Sequence, residues 1–381
     1  MLGPSVEGMG ENSLAGPMGR AFPRRLALVM TASTVCLSLM ALPMNADADT
    51  SCRVVNKTSG ASAVTDLQRA LDRAAPGDRI RVAGVCRGNF LVERDVTLLG
   101  RTSDTRPRAV LVATRERHVV LISGDSSTRV RIDSLTVRGG FAQRGGGVRI
   151  RAGGTLELTG HARIARNSAR YGGGVFGGYL TMSDRATIVR NTASSSGGGV
   201  GMSTTELRGS ATITDNAATA GGGIYSGRRV TVAERGAVVA NRARSGGGVF
   251  AERRLVLQDQ ARIASNKARE SGGGVYARGA LRVSETAMVS ENSAVYGGGV
   301  YAYGARIDMT DDAAIRANSA AEAGGLYNGT GSTLTLFNRA SITLNTAGVF
   351  GGIQNFGSVV MDPAWTGTVC GNLPDDWPTC S

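Results

Sequence analysis

Residues 266–301 read NKARESGGGVYARGALRVSETAMVSENSAVYGGGVY, one complete unit and the start of the next. Asn266-x-Ala returns as Asn292-x-Ala, and Gly272–Gly274 followed by Val-Tyr returns as Gly297–Gly299 followed by Val-Tyr. Working outward, the same Asn-x-Ala marker stands at Asn167, Asn191, Asn216, Asn241, Asn318 and Asn345. The steps from Asn167 to Asn345 are 24, 25, 25, 25, 26, 26 and 27 residues. A glycine run follows each marker and thins to Gly324–Gly325 and Gly351–Gly352 at the end. A fixed period in the twenties is the signature of a solenoid, in which every unit packs only on its neighbours.

Three short apolar runs recur inside each unit. One follows the glycines (Val175, Val249, Val275, Val300), one alternates (Leu180/Met182, Leu255/Leu257, Ile307/Met309), and one precedes the Asn (Ala186/Ile188, Ala261/Ile263, Ala340/Ile342). Alternation with β-branched residues reads as strand. Three strands and three turns make one coil, and each strand pairs with its copy about 4.8 Å away in the next coil. The expected fold is therefore all-β: a parallel β-helix solenoid of about eleven coils, roughly 50 Å long at that spacing.

In such a coil the Asn has a physical task. It sits at a bend, where its amide can donate to one neighbouring coil and accept from the other. Asn167, Asn191, Asn216, Asn241, Asn266, Asn292, Asn318 and Asn345 are thus expected to form one hydrogen-bonded ladder. The glycines supply positive φ or close backbone approach. A leucine-rich repeat is the rival, since Ala-x-Ile-x-x-Asn-x-Ala echoes its pattern. Leu is not the filler here, however, and the rest of each unit holds a glycine triplet and a second strand rather than a helix.

The flanks read differently. Arg24-Arg25, the apolar run Leu26–Leu42 and Ala46-Asp47-Ala48 have the order of a secretory signal peptide, so residues 1–48 are expected to be a signal and its extension. No later stretch is long and apolar enough to cross a bilayer. Outside the signal stand Cys52, Cys86, Cys370 and Cys380, an even set that suits disulfides in an exported chain. The expected bridges are Cys52–Cys86 and Cys370–Cys380, one at each end. Residues 49–80 form an N-terminal cap with a short helix: Val64, Leu67, Leu71 and Ala74 mark its face, Thr65 with Gln68 fits a capping box, and Pro76-Gly77 ends it. Irregular coils are expected over 81–144, regular repeats over 145–362, and a C-terminal cap with Trp365 and Trp377 over 363–381.

Two sets of motifs carry a family resemblance. The segments Leu67-Gln68-Arg69-Ala70-Leu71, Pro76-Gly77-Asp78, Gly84–Phe90 and Thr97–Gly100 resemble the opening of secreted bacterial β-helix proteins with the pectin-lyase fold. The Asn-x-Ala…Gly-Gly-Gly-Val units resemble the repeats of the polymorphic outer membrane proteins. The resemblance implies a right-handed parallel β-helix, a secreted or cell-surface location, and adhesion. Those relatives carry Phe-x-x-Asn, whereas the residue three before each Asn here is Ile or Val, so outer-membrane anchoring does not carry over. The pectin-lyase fold also hosts polysaccharide lyases and glycoside hydrolases, and fold alone does not choose among them.

Glycosidases need two carboxylates flanking the bond, and lyases need carboxylates on calcium plus a base. One acidic file exists, Glu234, Asp259, Glu285 and Asp311 at equivalent turns. A calcium column is its sharp reading, and plain turn chemistry the bland one. A second file follows the post-glycine Val or Ile: Phe176, Tyr225, Phe250, Tyr276, Tyr301 and Tyr327. Pointing outward, these rings form a stripe able to bind sugar or a surface protein, or else simply pair across coils. The third feature is charge: +13, carried by Arg, with Lys only at Lys57 and Lys267. A basic exported rod suits an anionic glycan or cell-wall polymer, and no nucleic-acid module is present. The regular exterior lacks the unique polar clusters of an active site. The reading is a monomeric, non-catalytic, adhesin-like exported protein without a cofactor, with a polysaccharide lyase or hydrolase as the alternative.

Overall fold

The computed structural model describes residues 51–374 apart from 61, 101, 104, 105, 108 and 152. The expected signal peptide, Trp377 and Cys380 lie outside the described residues. The chain is an all-β solenoid of about 11 turns with almost no helix, as the period requires. Its strands stack parallel and in register. Val249, Val275 and Val300 pair directly, as do Leu255 with Leu281 and Ile263 with Val289. Most of these inward files are wholly buried, and each fully buried Val, Leu or Ile contributes about 1.5–3 kcal/mol.

The coil has four walls rather than the three read from the apolar pattern. Wall one (Val275–Ala277 in one coil) and wall two (Ala280–Val283) belong to one 22-stranded sheet, and wall three (Met288–Ser290) to a 12-stranded sheet. Wall four is a short strand between the Asn and the glycines, as in Ser168–Tyr171, Thr192–Ser196 and Lys267–Ser271. Its inward residue is the Ala of the Asn-x-Ala marker, and Ala169 pairs with Ala193. One small apolar residue among Ser, Thr and Arg leaves no strand pattern in the sequence, which is why this wall was read as a bend.

The corners are made by left-handed backbone. One coil places Glu285, Glu291 and Gly297 at φ 60°, 57° and 61°. The rest of the glycine triplet is needed for clearance. A Cβ on Gly274 would stand 2.7 Å from the Gly299 oxygen and 2.8 Å from Asn292 Nδ2.

The N-terminal end is closed by Leu67–Asp72, a helix that buries Leu67 and Leu71 over the first coil. The capping box expected at Thr65 is corrected: Asp66 is the N-cap and its carboxylate accepts from the Arg69 N–H. Gln68 instead clamps a neighbouring strand, accepting from the Leu91 N–H and donating to the Leu91 carbonyl. Arg53–Asn56 pairs antiparallel with Asp78–Ala83, covering that sheet edge. A Cys52–Cys86 disulfide ties the cap to the coils. Cys370 is disulfide-bonded as well. Near the other end the Trp365 indole donates to the Ala340 carbonyl at 2.9 Å.

Two substitutions test the stacking. Gly274→Ala forces adjacent coils apart and is expected to cost about 2–3 kcal/mol in chemical denaturation, the usual scale of overpacking. Thr205 occupies the inward file between Leu180 and Val230, and its Oγ1 has no partner. Thr205→Val is expected to raise stability by about 1–2 kcal/mol, because it removes a buried unpaired hydroxyl at constant shape. A loss of stability in that variant contradicts the file.

Candidate anion-binding face

The exterior divides into files, each fixed by its place in the coil. The eight expected Asn residues all lie buried at the corner after wall three. In a typical rung, Asn266 Oδ1 accepts from both the backbone N and Nδ2 of Asn241, at 2.9 and 3.0 Å. Asn266 Nδ2 donates to the Asn292 oxygen on one side and to the Val238 carbonyl on the other. The file is continuous from Asn167 to Asn345. Its next rung is Asn372, which accepts from Asn345 and which the marker missed because no Ala follows two residues on. These side chains are fully committed to the scaffold.

Glu234, Asp259, Glu285 and Asp311 form a file at the corner between walls two and three, all at positive φ. Their carboxylates reach back to the preceding coil. Asp259 accepts from the Glu234 N–H at 2.8 Å, and Asp311 from the Glu285 N–H at 3.1 Å. These backbone hydrogen bonds hold both Asp side chains below the usual carboxylate range. The Asp259 carboxylate beside Glu285 pushes Glu285 up. Among the described residues no group of three or more His, Cys, Asp or Glu side chains converges as a metal site. The file works as a second ladder of corner hydrogen bonds.

The aromatic file departs from an open stripe. Phe250 is buried, and Phe176, Tyr225, Tyr276, Tyr301 and Tyr327 are only partly exposed. From Tyr225 onward the rings lie on one another. Phe250 and Tyr276 stack at 4.5 Å and 6°, and Tyr301 and Tyr327 at 4.6 Å and 17°. Gly201 interrupts the file after Phe176. The coil spacing matches the thickness of a ring pair, so each ring face is taken up by its neighbour, worth about 0.5–1.5 kcal/mol per pair. Arg278 lies over Phe250 and Tyr276 and pairs with Glu252, which also accepts from the Tyr225 hydroxyl. Burial first, then Glu252, pushes the Tyr225 phenol up to about 12. Burial, then Tyr276, does the same for Tyr301. What remains on the outside is ring edge, a poor platform for a sugar face.

An arginine-rich hollow lies on wall three. A concavity of about 700 Å³ has a floor of Val110, Thr136, Ala165 and Thr187, ringed by Arg138, His161, Arg163, Arg166, Arg185 and Arg190. In-register pairing brings Thr136, Arg163 and Thr187 into one file. Arg166 and Arg190 stand at positive φ on the corner directly before Asn167 and Asn191, so the buried Asn fixes the backbone from which each projects. His161 and Arg185 rise from the opposite corner, in adjacent coils. Among the described residues no carboxylate lines the concavity. Guanidinium groups there match the planar fork geometry of carboxylate, sulfate or phosphate oxygens.

Sequence reading did not find this trough. Its members come from four coils and occupy four different positions of the repeat, so no period marks them. The one signal available was local: Arg138, Arg163, Arg166, Arg185 and Arg190 with only Glu157 and Asp184 among them.

No protein-family model, curated protein or solved structure matches the chain.

The ladder is testable at a rung outside the trough. Asn266→Ala removes the acceptor of two donors and the donor to two acceptors. The expected loss is about 3 kcal/mol in denaturant unfolding, since buried backbone and amide groups are left unpaired. A loss under about 1 kcal/mol, the scale of an ordinary exposed contact, counts against a stabilising ladder.

Proposed function

We propose that this is an exported, non-catalytic, adhesin-like β-helix that holds an anionic glycan or cell-wall polymer against its exterior. The observation that carries the reading is the arginine-ringed trough on wall three, with five Arg and one His around a floor of small residues and, among the described residues, no acid in its lining. Adjacent guanidinium groups repel one another by about 1 kcal/mol at coil spacing in water, and an anion removes that cost. Arg in place of Lys favours paired contacts to planar or tetrahedral oxyanions over diffuse attraction. The formal charge of +13 adds long-range steering toward an acidic polymer. The floor runs along a strand file across successive coils, which suits an extended chain.

The test is retention of the purified protein on sulfated and carboxylated polysaccharide matrices over a salt gradient. Wild type is expected to bind at low salt and elute as screening shortens the Debye length to a few ångströms. Replacing Arg166 and Arg190 together by Gln removes two exposed pairs of up to about 1 kcal/mol each, weakening binding roughly tenfold. The same double change at Arg242 and Arg244, on wall four, is expected to have a smaller effect. Equal losses from both pairs, or retention indifferent to salt, defeat the proposal.

A further inference from the structure

A second group of cations stands on another wall of the same coils. On wall one, Arg149 points outward in the file that runs from Leu121 through Arg149 to Phe176. Val148 and Ile150 on either side are buried, so Arg149 and Arg151 project from one face. Arg144, from wall four, lies 5.7 Å from the centre of the Phe176 ring. Arg117 and His118 come from the irregular loop before Val119. That loop is held in place where Asn89 donates to the His118 carbonyl and Phe141 donates to the Arg117 carbonyl. Arg149 and His118 are each partly buried.

Five cationic or protonatable groups therefore meet on a fixed backbone. No ion pair among the described residues joins any of them to a carboxylate. The cost registers in the groups themselves. Burial, then Arg149, Arg151 and Arg117, lowers His118 to about 4. Burial, then Arg151 and Arg144, lowers Arg149. An oxyanion among them offsets the coulombic part of both effects, because it neutralises the neighbouring charges that suppress protonation.

We propose that Arg117, His118, Arg144, Arg149 and Arg151 form a second anion site for sulfate, phosphate or carboxylate groups, and that with the trough on another wall it lets one rod bridge two polymer strands. The inference rests on the polymer-binding reading above and adds to it an activity, cross-linking, that one site cannot supply. The site is built from unique residues of the irregular coils and the first regular one, and no repeat copy of it follows along the rod.

The chain has two histidines, and each belongs to one site: His118 to the cluster and His161 to the trough. Their imidazole signals in a proton–nitrogen correlation spectrum report the two faces separately. The probes are a heparin-derived sulfated tetrasaccharide and a galacturonate tetrasaccharide of carboxylates alone. The expected result with at least one probe is a shift of both imidazoles, with the His118 pKa rising by about one unit as the neighbouring charge is neutralised. Arg149→Gln with Arg151→Gln abolishes the His118 response and leaves His161 responsive, and Arg166→Gln with Arg190→Gln does the reverse. With long heparin, the wild type scatters light as cross-linked particles, and either double variant stays clear. If His161 responds and His118 does not, the second site and the bridging are wrong while the polymer-binding reading stands. If neither responds to either probe, both fall together.

Discussion

Everything in this molecule depends on one coil lying in register on the next, and the Asn corner is where that register is enforced. An Asn oxygen accepts two N–H donors from the coil before it, and its amide nitrogen donates both backward and forward. A strand ladder alone tolerates slippage when neighbouring side chains are alike, as they are in a repeat. A buried amide does not, because a one-residue slip leaves several polar groups unpaired away from water. Register is therefore set at the corner and transmitted to the walls.

That constraint explains where the repeat can change length. The spacing from the wall-two file to the wall-three file is constant in every regular coil, from Leu180–Ile188 to Leu334–Ile342. From wall three to the Asn it is constant too. The spacing from wall one to wall two grows instead, from Val175–Leu180 to Leu326–Leu334. The period drifts from 24 to 27 residues without disturbing the Asn file, because the extra residues enter between the Asn and wall two: on wall four after Asn191 and Asn266, and otherwise at the junction of walls one and two. The arc bounded by the acidic and Asn corners is rigid, and the arc through walls one and four adapts. Wall three, which carries the arginine trough, belongs to the rigid arc.

Much of this was legible because repetition turns weak local signals into strong ones. A single Ala-x-Ile-x-x-Asn says little, whereas eight at a near-constant step fix strand, corner and stacking direction together. What stayed hidden shares one property: it does not repeat or does not alternate. Wall four shows one inward Ala per strand. Asn372 lacks the trailing Ala. Asp66 caps the helix one residue beyond the Thr that fits a capping box, a shift that sequence spacing does not resolve. The aromatic file was visible, but the state of its rings was not. Coil spacing equals stacking distance, so a row of aromatics closes on itself instead of facing outward, and Phe250 is buried by its neighbours.

The trough shows how a regular solenoid acquires a local site. Every coil offers the same outward positions on wall three and its two corners, so a site arises wherever several adjacent coils depart from the usual filler in the same direction. At the corner before the Asn the file reads Arg166, Arg190, then Asp215, Ala240, Ser265, Glu291, Ala317 and Leu344. At the opposite corner it reads His161, Arg185, then Ser210, Arg235, Gln260, Thr286, Asp312 and Arg339. Only in the coils of Arg166 and Arg190 do both corners carry a basic side chain. Beyond them carboxylates enter, and Arg339 pairs with Asp312. At the corner before the Asn the run of arginines therefore ends at Asp215. The same coils carry the cluster around Arg149 on wall one, so cationic side chains gather at the N-terminal part of the rod on two of its walls. The later coils extend the scaffold with a more nearly neutral wall three, so the asymmetry of charge along the rod is set by substitutions at a few outward positions while the inward files stay the same.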